Sequence, residues 1–196
     1  RRRRARGNSF GPTIMAAFAA AVKIDAFAYL PVQDFGNAFS IFISQNYGAG
    51  RSDRIRRGIR SAVLCSVGFG CVLSAAVWLL AAPLMGLFID AGETAVIAEG
   101  VRYLRIEGAF YALIGVLFLL YGLYRALGRP GMSVVLTVVS LGLRVALAYT
   151  LAPTVGVTGI WWAVPIGWVI ADALGIGYYL ARGKRLRRGE ENGAEP

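Results

Sequence analysis

SAVLCSVGFGCVLSAAVWLLAAPLMGLFI, residues 61–89, runs for 29 positions without a charged side chain. A helix needs about 20 mostly apolar residues to cross the hydrocarbon core of a bilayer, so this run predicts one spanning helix near 60–88. Further along, residues 108–124 hold no charge, and Tyr103 and Leu104 extend that segment to a helix near 103–125. Residues 130–171 carry a single charge, Arg144, and are long enough for two helices, near 131–152 and 158–181. The turn between them is expected in PTVGVTG, residues 153–159, where Pro153, Gly156 and Gly159 punctuate the chain. Upstream, residues 26–47 are apolar apart from Asp34, and residues 12–22 are apolar as well, with Lys23 and Asp25 between them. One helix near 15–47 is expected, kinked at Pro31. It starts at Met15 or at Ile24, and the later start leaves a short re-entrant piece before Lys23. The fold class is therefore all-α: a polytopic membrane helix bundle with about five transmembrane helices.

Composition supports this reading. Hydrophobic residues make up 57% of the 196 positions and charged residues 16%, against about 25% charged in an ordinary soluble domain. One soluble core of this size cannot enclose so much apolar surface, and a disordered chain would be far less hydrophobic. The formal charge of +10 would suggest nucleic acid on a soluble protein. Here the charges fall in short blocks between apolar runs, so the lipid bilayer is the expected partner and nucleic acid is not. The chain has no histidine, which removes imidazole metal ligands and histidine-based acid–base catalysis. No metal centre is expected, and no protease-like constellation argues for an enzyme. Cys65 and Cys71 lie six residues apart in one apolar run and are read as small buried residues, with no disulfide implied.

The charge blocks also order the loops. The segment 48–60 carries five arginines against Asp53, whereas 90–107 is net acidic. Arg125 and Arg129 make the third connection basic, the fourth is uncharged, and residues 182–188 are strongly basic. By the positive-inside rule, the first and third connections and the tail at 183–196 face the cytoplasm of a multi-pass protein in the cytoplasmic membrane. Five helices then put the N-terminus outside, although Arg1 to Arg4 and Arg6 are basic. The expected resolution is that residues 1–11 are a remnant, and that the chain is a piece of a longer protein with another helix upstream.

The stretch from Asn8 to Gly58 ends in Gln45-Asn46-Tyr47-Gly48-Ala49-Gly50-Arg51, followed by spaced arginines. It resembles the cytoplasmic end of the second helix of a repeat in the multidrug and toxic compound extrusion (MATE) family. Tyr103-Leu104, the segment Leu123 to Arg129, and Gly156 to Trp162 resemble that family in the same order, so the likeness covers about residues 8–182. It implies one half of a two-lobe, twelve-helix transporter, the C-terminal lobe at 12–182 without its seventh helix. The implied activity is export of cationic or amphipathic drugs in exchange for Na⁺ or H⁺. The implied partners are those small molecules, the missing N-terminal lobe and the seventh helix. The only cofactor-like species implied is Na⁺ as coupling ion. Two other functions stay open: a non-transporting scaffold or inactive fragment, and a lipid-linked-sugar flippase. The flippase would be expected to carry more basic residues than Arg144 inside its cavity.

Ionisable residues inside a membrane are costly and usually face a cavity or a partner. Asp34 lies within the first helix beside Gln33, and Asn37 shares its face one turn on. Carboxylate and amide oxygens of this kind suit Na⁺, and the carboxylate suits a proton. A polar contact between helices is the competing reading. Asp172, in the last helix, is the other coupling candidate. Arg144 reads as a structural ion-pair member, with Asp34 or Asp172 as its anion, or as a gating residue. Glu107 reads as interfacial. Tyr111 and Tyr121 are the candidate substrate contacts, since aromatic faces attract organic cations. Trp161 and Trp162 read as members of the interfacial aromatic belt. Gln45, Asn46, Gly48, Ala49 and Gly50 read as a helix cap and tight turn rather than a phosphate loop.

Overall fold

A computed structural model describes residues 11–192, with side chains to residue 181. The polypeptide forms six helices: α1 (Gly11–Gly48), α2 (Ser52–Gly86), α3 (Thr94–Gly108), α4 (Tyr111–Ala126), α5 (Pro130–Val155) and α6 (Val157–Asn192). Four of them are long and apolar enough to cross a membrane, and α3 with α4 makes a fifth span bent by 51°. Apolar side chains such as Leu64, Leu79, Val134, Val138 and Tyr149 cover the outside, which suits lipid and not water. The expected fold class therefore holds. The basic residues of the α1–α2 and α4–α5 connections gather at one end of the bundle, and the acidic α2–α3 connection lies at the other.

The boundaries have local causes. α1 ends where Gly50 takes φ +66° and Arg51 N–H donates to the Asn46 carbonyl at 2.9 Å. That left-handed closure is the helix cap expected at Gly48-Ala49-Gly50. α4 ends in the same way at Gly128, φ +70°, with Pro130 opening the next helix. The α5–α6 break is tighter than expected. α5 runs through Pro153 to Val155, and Gly156 alone, at φ +69°, turns the chain. α1 begins well before Lys23 and runs unbroken through Asp25 and Pro31. The expected third helix is instead two, separated at Ala109 and Phe110. α6 continues as helix to Asn192, past the expected boundary at 181. The remnant expected at residues 1–11 lies outside the described residues, except for Gly11, which opens α1.

α4 is the axis of the bundle, packed against α1, α2, α5 and α6. Close approach depends on small residues, since lipid offers no hydrophobic force to press helices together. A Cβ on Gly122 would come within 2.6 Å of the Gly36 carbonyl, and Ser40 Oγ donates to the Gly122 carbonyl at 3.0 Å. A Cβ on Gly70 would lie 2.6 Å from the Ala112 backbone. α5 is peripheral and buries only Leu136 and Ser140. Cys65 and Cys71 are exposed on the outer side of α2, not buried as expected, because α2 turns its Ser66 and Gly70 face to α4.

Gly70→Ala should push α2 away from α4 and cost about 1–3 kcal/mol, the usual penalty of overpacking. Gly68→Ala, with nothing within 4 Å of the new methyl, should leave the thermal midpoint in detergent unchanged or raised. Equal midpoints for the two variants would refute the packing assignment.

Candidate functional site

The most enclosed polar groups sit where α1, α3 and α4 meet. Asp25 on α1 and Glu107 in the last turn of α3 are 2% and 1% exposed. Their carboxyl groups face each other within hydrogen-bonding reach. Tyr103 Oη donates to Glu107 Oε2 at 2.5 Å, and Tyr111 Oη donates to Asp25 Oδ1. The remaining oxygens, Asp25 Oδ2 and Glu107 Oε1, have no donor. Aromatic rings enclose the pair. Tyr103 meets Phe18 and Trp161 edge-on at 5.5 and 5.7 Å, and Tyr29 meets Tyr111 and Trp168 at 6.2 and 6.0 Å.

The break between α3 and α4 builds this centre. Tyr103, Glu107 and Tyr111 are spaced by four, so in a helix they share one face. The bend after Gly108 allows Tyr111 to reach Asp25 while Tyr103 holds Glu107 from the turn before. Two adjacent carboxylates in apolar surroundings cannot both carry charge without a cation between them or a proton on one. Their free oxygens fit either species. Arg144 on α5 is half-buried. Among the described residues the ion pair within salt-bridge distance is Arg102–Glu99 on the surface, so Arg144 closes no ion pair with Asp34 or Asp172.

Two expectations are corrected here. Glu107 is not interfacial, because α3 turns it inward against α1. Trp161, expected in the interfacial belt, is 2% exposed and packs on Tyr103, whereas Trp162 is exposed. Asp25 does not stand out in the sequence because, with Lys23, it falls between two apolar runs. Lys23 in fact lies on the opposite, exposed face, with its ammonium 6.0 Å from the Phe88 ring. The four-residue spacing of Tyr103, Glu107 and Tyr111 was the available signal.

Of the sequence candidates, Asn37 and Tyr121 fall into a second region. A cleft of about 220 Å³ is lined by Gln33 and Asn37 of α1, Phe118, Tyr121 and Arg125 of α4, and Ser133 and Thr137 of α5. Arg125 donates to Asn37 Oδ1 at 3.0 Å. Asp34 is exposed on α1 beside these residues. Tyr121 belongs to the cleft and Tyr111 to the carboxyl centre, so the two tyrosines do not share a surface. Asp172 is 4% exposed on α6, with both carboxylate oxygens unpartnered. In the cap, Asn46 is buried and its Nδ2 donates to the Phe42 carbonyl at 2.7 Å, while Gln45 accepts from Ala49 N–H through its backbone carbonyl.

A multi-pass helix bundle with polar and ionisable groups gathered inside it has the architecture of a membrane transport protein. The sequence matches the MatE family over residues 7–150, and the chain belongs to that family. It is 27% identical over 175 residues to the probable multidrug resistance protein YoeA of Bacillus subtilis, covering 88% of this chain and 37% of that protein. It is 28% identical over 173 residues to YpnP of the same organism, likewise described as a probable multidrug resistance protein, with 88% and 38% covered. The fold matches the MATE transporter VcmN of Vibrio cholerae with a TM-score of 0.80 at 24% identity, over 92% of this chain and 40% of that one. It matches the MATE transporter ClbM, solved in complex with Rb⁺, with a TM-score of 0.78 at 26% identity, over 86% and 39%. The chain thus spans about 40% of the length of these relatives.

Tyr103→Phe removes the donor to a buried carboxylate oxygen and should cost about 1–3 kcal/mol, the usual penalty for an orphaned buried acceptor. The check is thermal unfolding in detergent, with Tyr149→Phe on the exposed face of α5 as a neutral control.

Proposed function

We propose that this chain is one lobe of a secondary antiporter that exports cationic or amphipathic compounds, and that Asp25 and Glu107 are its coupling centre. The observation that carries the reading is the facing carboxyl pair with one free oxygen on each residue. Such a pair changes affinity for a cation as it gains or loses a proton, which is what exchange of ions for substrate requires. The multidrug resistance relatives support the substrate class, and the Rb⁺ complex of ClbM supports a monovalent cation as the coupled species. Tyr103 and Tyr111 position the carboxyls.

The cleft with Tyr121, Gln33 and Asn37 is the polar surface on which substrate and the remaining lobe meet this one. The exposed polar residues of α1, Lys23, Asp34, Asn37 and Gln45, recur on one side of the helix. Hydrocarbon is a poor covering for them, so this side faces protein or a water-filled passage. The basic end, with Arg51 to Arg60, is the cytoplasmic end.

Asp25→Asn and Glu107→Gln, made in the assembled transporter that contains this lobe, should each reduce ion-driven efflux in proteoliposomes to the level of empty vesicles. Membrane abundance should hold, because removing a charge eases insertion. Asp34→Asn should leave ion dependence intact and alter only substrate affinity. Full coupling in the Asp25 and Glu107 variants, with loss in Asp34→Asn, would move the coupling centre to the cleft.

A further inference from the structure

Among the described residues, Arg125 in the last turn of α4 is the one charged side chain that lines the cleft between α1, α4 and α5. No acid neutralises it there: among the described residues Arg125 forms no ion pair, and Asp34, one turn before Asn37, does not line the cleft. The next arginine, Arg129, is turned to α6, where its guanidinium donates to the Tyr178 hydroxyl at 3.0 Å. Arg125 Nη2 donates to Asn37 Oδ1 at 3.0 Å. An arginine side chain has only donors, so this bond fixes the Asn37 amide with its oxygen on Arg125 and its NH₂ group turned away from the guanidinium. Ser133 and Thr137 commit their hydroxyl protons to the backbone. Ser133 Oγ donates to the Tyr121 carbonyl at 3.1 Å, and Thr137 Oγ1 to the Ser133 carbonyl at 2.9 Å. The donors left for a ligand are the other N–H groups of Arg125 and the amide N–H groups of Asn37 and Gln33. Phe118 and Tyr121, edge-on at 6.1 Å, add aromatic surface beside them.

A guanidinium fork with amide donors beside it matches the two oxygens of a carboxylate, whereas a cationic group would meet like charge. We propose that the cleft binds the carboxylate of an amphipathic aromatic acid, with Arg125 as the specificity-determining residue and Asn37 holding its fork in place. The cleft, about 220 Å³, is smaller than the roughly 300–1,000 Å³ of a pocket that encloses a whole drug-sized ligand. It therefore takes the acidic end and the ring that carries it, and the rest of the compound extends beyond. The site rests on the proposed role of the cleft as a substrate surface, and it narrows the cargo to amphipathic compounds that carry an anion. It does not require Asp25 and Glu107 to be the coupling pair.

Equilibrium dialysis of the full chain in phosphatidylcholine nanodiscs, against protein-free nanodiscs, tests the proposal with three probes of similar shape: naphthoate, its neutral methyl ester and the naphthylmethylammonium cation. The wild type should bind naphthoate saturably and about tenfold more tightly than either analogue, the increment of one charge-assisted pair. Arg125→Gln should bring naphthoate down to the level of the ester. Asn37→Asp, close in shape, sets a carboxylate against Arg125 and should abolish naphthoate binding, whereas Arg129→Gln should leave it unchanged. The proposal is overturned if the ester or the ammonium binds as tightly as naphthoate, and the cleft then remains a substrate surface of another specificity. If no probe binds, both readings fall. Retention of the naphthoate preference in Arg125→Gln also overturns it; if that variant loses its helical circular dichroism, Asn37→Asp decides in the same way. Phosphatidylglycerol nanodiscs at high salt, where the surface potential is screened, separate cargo from lipid. Naphthoate binding equal to that in phosphatidylcholine at the same salt supports a carboxylate cargo, and its loss assigns the cleft to a lipid phosphate and overturns the proposal.

Discussion

Two carboxyl groups held together inside a bundle that lipid surrounds impose the severest constraint on this molecule. Moving a charge out of water costs several kcal/mol even after relaxation, so Asp25 and Glu107 persist only because Tyr103 and Tyr111 hold one oxygen of each. Those tyrosines are in turn fixed by edge-on contacts to Phe18, Trp161 and Tyr29. Buried among these rings, the polar contacts act in a low-dielectric setting, which strengthens them.

The rest of the architecture serves that placement. α4 reaches α1 and α2 so closely because Gly36, Gly70, Gly115 and Gly122 stand at the crossings. The bend between α3 and α4 divides what would otherwise be one continuous span. α3 carries Tyr103 and Glu107, and α4 carries Tyr111 at one end and the cleft residues Tyr121 and Arg125 toward the other. One broken span thus borders both polar regions of the lobe. α5, by contrast, is mostly exposed and contacts α4 and α6. It contributes Arg144 and a row of hydroxyls without taking part in the central packing.

The chain belongs to the MatE family and spans about 40% of the length of its relatives. On α1, Lys23, Asp34 and Gln45 are exposed along one side, where hydrocarbon is a poor covering.

Sequence alone determined the membrane-spanning class and the succession of helices, because the length of an apolar run and the spacing of charges are properties of the chain itself. The glycine turns at Gly50 and Gly156 were legible for the same local reason. The candidate site was legible only in part. Asp172 stood out as a charge in an apolar run, but Asp25 sat beside Lys23 and Glu107 beside a helix end, positions that look aqueous when counted along the chain. Their burial depends on which way α1 and α3 are rotated and on the break at Ala109 and Phe110, and both are set by packing against α4. Pairing residues 82 positions apart is a property of tertiary contact, which periodicity within one helix does not encode.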